Sequence, residues 1–146
     1  MKKFLFISFF GFFVNAGFSQ VGIGTTTPLS TLDVNGNVSF KVLTLEGGPG
    51  GNATRITDGY YINLNVLNGT DIEYILPEAN TVPGRTYVLR NISTTTNAVL
   101  YAFGGLFYAS NSASSSNSTN ITFDGNTKTM LFYSDGSNWN YGPFGF

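Results

Sequence analysis

Few residues in this chain could do chemistry. The 146-residue sequence contains neither His nor Cys, which excludes Ser-His and Cys-His nucleophilic sites and the usual transition-metal sites. The acids Asp71 and Glu73 stand two residues apart on a predicted strand and would share one face, with Glu78 just beyond the next turn. A glycosidase needs two such carboxylates in one cleft. Charge on a solvated strand face explains them without catalysis, so no catalytic residue, metal or cofactor is predicted.

Aromatic side chains offer a different chemistry, which is stacking against sugars. They make up 16% of the residues, whereas charged residues make up only 10%. Most aromatic side chains fill protein cores or subunit interfaces. The candidates for an exposed sugar-binding platform are Trp139, Tyr60 and Tyr108. Trp139 follows an Asp-Gly turn and is expected near the surface, whereas Arg85 is expected to pair with a carboxylate or to cover the sheet.

Composition limits the class of protein. The formal net charge is −1, so the chain is not basic enough to attract nucleic acid or an anionic membrane. The length suits a single domain with a modest core. Because cysteine is absent, such a domain must be stabilised by core packing or by oligomerisation instead of disulfides.

Residues 1–19 are predicted to be a secretory signal peptide. Lys2 and Lys3 precede an apolar run over residues 4–14, and the small residues Gly17 and Ser19 form a cleavage site. The run is shorter than the roughly 20 residues that span a bilayer. The sequence therefore predicts export to the cell surface or the extracellular medium, with no membrane insertion after cleavage at Ser19.

The rest of the chain has the pattern of short strands separated by turns. Ile62, Leu64 and Val66 alternate with polar residues, as in a half-buried strand. Pairs of Asx and Gly, which favour hairpins, recur at 35–36, 58–59, 68–69, 124–125 and 135–136. No window shows the spacing of an amphipathic helix. The predicted fold is all-β, with a short N-terminal fibre-like β segment followed by a small antiparallel β-sandwich or barrel.

Three segments divide the predicted mature chain. Residues 20–45 form the N-terminal β segment, in which Asn35 and Gly36 are expected to turn a hairpin. Residues 46–52 are rich in glycine and predict a flexible linker. Residues 53–146 form the predicted head domain.

Two sets of motifs resemble known proteins. The run VGIGTTTP at 21–28, followed by LDVNGNV at 32–38, resembles a signature of secreted tail-fibre-like and adhesin-like proteins of Gram-negative bacteria. The runs YILP at 74–77, PGRTYVLRNI at 83–92 and SDGSNW at 134–139 are similar to small β modules that cap phage tail fibres. The resemblance implies a fibre or adhesin head, commonly trimeric, without a long shaft or a C-terminal chaperone domain.

Assembly is also expected from the residues themselves. Two short strands bury too little surface to be stable alone, and soluble monomers rarely expose large apolar patches. The predicted subunit contacts are Val21, Ile23, Leu32, Val34, Phe144 and Phe146. We therefore expect a non-enzymatic structural or adhesive homotrimer whose head binds a cell-surface glycan or protein. A monomeric carbohydrate-binding β-sandwich is the alternative, and a polysaccharide-cleaving enzyme is the third.

Overall fold

The structure is a computed structural model that describes residues 20–116 and 119–145. The predicted signal peptide and Phe146 lie outside these residues. The described part is all-β, which confirms the predicted fold class, and its one short helical element is a 3-10 turn at Ala79–Thr81. No helix in this part is long and apolar enough to cross a membrane. The strands are β1 (Val21–Ile23), β2 (Leu32–Val34), β3 (Val42–Glu46), β4 (Thr54–Arg55), β5 (Tyr61–Asn65), β6 (Glu73–Glu78), β7 (Thr86–Asn91), β8 (Ala98–Gly104), β9 (Phe107–Ala109), β10 (Asn120–Phe123), β11 (Thr129–Ser134) and β12 (Trp139–Pro143).

The first of two compact units ends at Ser39. Its strands β1 and β2 pair in parallel, with Val21 opposite Leu32. The hairpin predicted at Asn35 and Gly36 is wrong, because the chain leaves β2 without forming another strand before β3. The returning loop is instead closed by the Val21 N–H, which donates to the Thr31 carbonyl at 2.8 Å, and by the Leu29 N–H, which donates to Asp33 at 2.8 Å.

The second unit begins at Phe40 and contains two sheets that share one core. The six-stranded sheet has the order β3-β5-β7-β11-β12-β9, and the four-stranded sheet has the order β10-β8-β6-β4. Alternate side chains from both sheets meet in a single apolar cluster. The largest fully buried side chains include Trp139, Tyr74, Tyr87, Phe123 and Phe132. The second unit is therefore a sandwich in which each strand contributes one face to a common core.

The strands of this sandwich are only partly antiparallel. From β3 to β10 the chain enters the two sheets in turn, so β3, β5 and β7 lie in one sheet and β4, β6 and β8 in the other. Within each of these two sets, successive strands run in the same direction and pair in parallel. Antiparallel pairing is confined to β7 with β11, β11 with β12, and β8 with β10.

The Asx-Gly turns explain this difference from the predicted topology. Asp58 and Gly59 connect β4 to β5, and Asn68 and Gly69 connect β5 to β6, so both turns carry the chain from one sheet to the other. Asp135 and Gly136 do form a hairpin, between β11 and β12. An Asx-Gly pair thus supplies the turn, but it does not determine which sheet the next strand joins.

The segment predicted as a flexible linker, residues 46–52, is held in the second unit. Gly48 is buried and exchanges two backbone hydrogen bonds of 3.0 Å with Glu73. A Cβ atom on Gly47 would overlap the carbonyl oxygen of Asp71. Glycine is required here for a close approach of two backbones, so the boundary between the units falls earlier, between Ser39 and Phe40.

Asn91 is a buried polar residue that connects the two sheets. It lies on β7 of the six-stranded sheet, and its side-chain amide donates to the carbonyl of Phe123 at 3.0 Å, on β10 of the other sheet. The same amide donates to the Thr96 carbonyl at 2.9 Å. Its oxygen accepts the Ser93 N–H at 2.9 Å. Asn91 therefore satisfies three backbone groups and connects β7 to β10 across the two sheets.

Replacement of Asn91 by Ala should destabilise the fold by about 3 kcal/mol, because each lost hydrogen bond of this kind contributes about 1 kcal/mol. Urea denaturation followed by tryptophan fluorescence measures the change. The matched control is Asn97→Ala at an exposed position, which should change stability by less than about 0.5 kcal/mol. Equal effects of the two substitutions would contradict the role given to Asn91.

Candidate functional site

The candidate site lies where three parallel strands begin. Lys41 directly precedes β3, Tyr60 directly precedes β5, and Arg85 directly precedes β7. The register places Val42 opposite Tyr61 and Tyr61 opposite Val88, so Lys41 lies opposite Tyr60, and Tyr60 lies opposite Tyr87, two residues after Arg85. The Lys41 carbonyl accepts the Tyr60 N–H at 2.9 Å, and the Tyr60 carbonyl accepts the Val88 N–H at 2.7 Å. The sheet itself therefore brings these side chains together.

A groove opens to solvent at this edge of the sheet and has a volume of about 540 Å³. That volume lies within the range of about 300–1,000 Å³ that is common for small-ligand sites. We call it the Tyr60 groove, and it is lined by Lys41, Asp58, Gly59, Tyr60, Pro83, Gly84, Arg85 and Thr86.

One aromatic residue, Tyr60, lines the groove. The Tyr60 ring stacks on Phe40, with ring centroids 4.3 Å apart and an interplanar angle of 25°. Tyr60 is half-buried, whereas Phe40 is 57% exposed. Because an aromatic ring offers an apolar face with a fixed direction, the stack holds Tyr60 as a surface against which a flat apolar face of a ligand can pack.

Two glycine turns fix the positions of the charged residues. Gly59 and Gly84 have φ values of +85° and +78°, a region that other residues rarely adopt. The Pro-Gly turn closes with the Arg85 N–H, which donates to the Val82 carbonyl at 3.0 Å. Arg85 is also tied to the buried Ser134, whose N–H donates to the Arg85 carbonyl at 2.9 Å. The arginine backbone is therefore anchored to the core.

The charges in the groove are unequal. Lys41 and Asp58 form an ion pair at the surface. The hydrogen bond from Lys41, followed by that from the Gly59 N–H, lowers the pKa of Asp58 below its usual value. Arg85 has no carboxylate within ion-pair distance among the described residues, and its guanidinium lies 5.9 Å from the centre of the Tyr87 ring. The charge of Arg85 also lowers the pKa of Asp58, so two cations share the one carboxylate of the groove.

Beneath Arg85 lies a hydroxyl group without a hydrogen-bond partner. Tyr87 is fully buried and packs against Trp139, with 5.9 Å between ring centroids. Its hydroxyl is the one buried side-chain polar atom in the described part of the chain that lacks a partner. Burial raises the pKa of Tyr87, while the nearby Arg85 opposes that rise and Asp58 adds to it. The Arg85 side chain also lowers the pKa of the phenol through a hydrogen-bonding contact, although that contact falls outside the geometry of a full hydrogen bond.

Of the three predicted aromatic platform residues, only Tyr60 lies in the groove. Trp139 is fully buried, and its indole N–H donates to the Pro77 carbonyl at 3.1 Å. Its prediction as a surface residue is wrong, because the hairpin pairs it with Ser134 on the inner face of the sheet. Tyr108 is half-buried on the edge strand β9, and β7, β11 and β12 separate it from the strand that follows Tyr60.

The acids of the predicted carboxylate pair have structural partners. Asp71 accepts a hydrogen bond of 2.7 Å from the Asn68 side chain. Glu73 accepts the Gly51 N–H at 3.0 Å and the Tyr101 hydroxyl at 3.3 Å. Both carboxylates therefore hold loops and neighbouring strands in place.

The C-terminal aromatic residues pack within the second unit. Tyr141 stacks on the core residue Phe132 at 5.7 Å, and Phe144 is half-buried with its N–H donating to the Thr129 carbonyl at 3.1 Å. The exposed apolar patch predicted for this end is therefore largely covered by the chain itself. Phe146 lies outside the described residues.

A second polar and aromatic surface lies on the four-stranded sheet. The Arg55 guanidinium lies 5.1 Å from the centre of the Phe103 ring, and Phe103 is 55% exposed. This surface, unlike the Tyr60 groove, covers no unpartnered buried polar atom. The Tyr60 groove is therefore the stronger candidate.

Reasoning from sequence missed Lys41 and Asp58 and gave Arg85 a structural role. The sequence did carry a signal for this site. Each of the strands β3, β5 and β7 is preceded by a charged or aromatic residue, and a glycine turn also precedes β5 and β7. That signal has meaning only if the strands are parallel, because antiparallel pairing would place alternate strand starts at opposite edges.

No family model, curated protein or solved structure matches this chain.

Replacement of Tyr87 by Phe should leave the free energy of unfolding unchanged or raise it by up to about 1 kcal/mol, because it removes a buried hydroxyl that has no partner. The control is Tyr74→Phe, which removes a hydroxyl that donates to the Leu45 carbonyl at 3.3 Å and should lower stability by about 1 kcal/mol. Urea denaturation distinguishes them. A loss above about 1 kcal/mol for Tyr87→Phe would show that its hydroxyl has a stabilising partner.

Replacement of Lys41 by Gln should raise the pKa of Asp58 toward its ordinary value, because Lys41 is the main cause of its depression. A depressed folded-state pKa gives a stabilising contribution that is present above the unfolded-state pKa and is lost as the pH falls through the folded-state pKa. NMR titration of the carboxyl carbons measures the shift. Asp135, whose pKa is lowered by its own turn, is the internal control and should not move. An unchanged Asp58 would contradict the pairing.

Proposed function

We propose that this chain is a non-enzymatic structural or adhesive subunit of a secreted, fibre-like homotrimer. Residues 20–39 join the subunits, and the second unit displays the Tyr60 groove as a glycan-binding site. The apolar surface of the first unit is the observation that carries this proposal.

The first unit exposes the residues that a small β structure would normally bury. Val21, Ile23 and Leu32 are 54%, 55% and 59% exposed, and no residue from 20 to 39 is buried. Two short paired strands are not stable in water without further packing. Burial of each of these side chains would contribute about 1.5–3 kcal/mol, which supports a partner chain as the source of a core for this segment.

Copies of the same segment are the partner that best fits this surface. A closed symmetric assembly presents identical apolar residues from every subunit to one axis. The motif at 21–38 resembles that of fibre-like proteins in which this segment assembles as a trimer. A trimer would bring nine exposed residues, three from each chain, into a common core.

Assembly would also strengthen binding by the groove. The Tyr60 groove is open to solvent and lined by an aromatic ring and charged groups, which is typical of shallow sites with weak individual affinity. Linking several such sites in one particle raises the overall binding strength by roughly 10²–10⁴. Three grooves on one fibre head would therefore attach the protein to a surface that displays repeated glycans.

A monomeric carbohydrate-binding module is the second candidate function. It is favoured by the complete core of the second unit, which draws on both sheets, and by the position of the whole groove in that unit. In this case the first unit would act as a leader or tether. The mass of the protein in solution separates the two functions.

Light scattering after size exclusion should give three times the chain mass for the mature protein. The triple substitution Val21→Ser, Ile23→Ser, Leu32→Ser should give a monomer with an intact second unit, because it removes the apolar contacts between subunits. The control Leu67→Ser changes a leucine that is 64% exposed in the second unit and should leave the trimer unchanged. A monomeric wild-type protein would overturn the trimer and favour the single-domain module.

A further inference from the structure

We infer that the Tyr60 groove selects a sugar that carries a carboxylate, of the uronic or sialic acid class, and that Arg85 binds this carboxylate. This inference rests on the proposal that the groove binds a glycan. It goes further by naming the class of sugar and the residue that distinguishes it from neutral sugars.

The first argument is charge. The groove contains two cations and one carboxylate, and Lys41 already neutralises Asp58. Arg85 has no carboxylate within ion-pair distance among the described residues, although the chain as a whole is slightly acidic. A guanidinium presents two parallel N–H groups whose spacing matches the two oxygens of a carboxylate. An acidic ligand would therefore complete the pairing that the groove lacks.

The second argument is the buried hydroxyl of Tyr87. The Arg85 guanidinium lies 5.9 Å from the centre of the Tyr87 ring, and its contact with the hydroxyl falls short of a full hydrogen bond, which leaves a buried hydroxyl incompletely satisfied. A carboxylate that draws Arg85 outward would uncover the hydroxyl and offer it an acceptor oxygen. One ligand group would thus give Arg85 a carboxylate and the Tyr87 hydroxyl a full hydrogen bond.

The third argument is the aromatic side of the groove. Tyr60 is held by its stack on Phe40, and it lines the same groove as Arg85. A pyranose ring can pack its C–H face on Tyr60 while a carboxylate on that ring points toward Arg85. Asp58, on the same lining, can accept a hydrogen bond from a sugar hydroxyl. Charge, stacking and hydrogen bonding are then all used by a single acidic sugar.

The test is calorimetric titration of the intact protein with four matched oligosaccharides. They carry glucuronic acid, its methyl ester, glucose, or a sulfated glucose at the same position. The wild-type protein should bind the acid at least tenfold more tightly than the ester or the neutral sugar, which corresponds to about 1.4 kcal/mol. The sulfated sugar should bind less tightly than the carboxylate sugar, because a tetrahedral sulfate does not match the two parallel N–H groups of the planar guanidinium.

The variants assign the preference to residues. Arg85→Gln should abolish the preference for the acid, whereas the matched control Arg90→Gln, at an exposed position on β7, should retain it. Tyr87→Phe should weaken binding of the acid several-fold without loss of stability. Tyr60→Ala should weaken binding of every sugar, since it removes the stacking surface. Urea denaturation of each variant verifies that the fold is intact.

Failure of this inference can be distinguished from failure of the proposed function. Equal binding of acid and ester, with both weakened by Tyr60→Ala, would overturn the acidic selectivity and leave a neutral glycan site. Equal binding of the carboxylate sugar and the sulfated sugar would overturn the selection of a carboxylate, because the groove would then respond to negative charge alone. If the wild-type protein binds none of the sugars, or binds an acidic peptide instead, both the selectivity and the glycan site are overturned.

Discussion

The parallel register of β3, β5 and β7 is the constraint on which the rest of this structure depends. The chain crosses from one sheet to the other after each of these strands, and all three run in the same direction. Their starting residues therefore meet at one edge of the sheet. The same crossing places alternate side chains from both sheets in one core, so the architecture that gives the fold its stability also collects Lys41, Tyr60 and Arg85 in one groove.

The groove combines groups that stabilise the free protein with groups that do not. The stack of Tyr60 on Phe40 and the ion pair of Lys41 with Asp58 are complete without a ligand. Arg85 and the hydroxyl of Tyr87 are not, since Arg85 lacks a carboxylate within ion-pair distance and the hydroxyl lacks a full hydrogen bond. Natural proteins tolerate unfavourable local arrangements chiefly where function requires them. This contrast is the physical basis for regarding the groove as a binding site.

The sequence predicted the all-β class and most strand positions, because alternation with a period of two is the same in parallel and antiparallel sheets. It did not predict the topology, since Asp58 with Gly59 gives the same turn signal whether the next strand joins the same sheet or the opposite one. For this reason Tyr60 was found but its charged neighbours were not. Trp139 was misplaced because its position after a turn indicated exposure, whereas its pairing partner on β11 determined its burial. The trimer, the export and the glycan ligand stay predictions.

The most direct test of the central claim is to map the ligand contact by NMR, using backbone amide shifts of the intact protein during titration with a glucuronic acid oligosaccharide. We expect the largest amide shift changes at the starts of the three parallel strands, on Lys41, Gly59, Tyr60, Gly84 and Arg85. Shifts centred instead on Arg55 and Phe103, on the outer face of the four-stranded sheet, would contradict it.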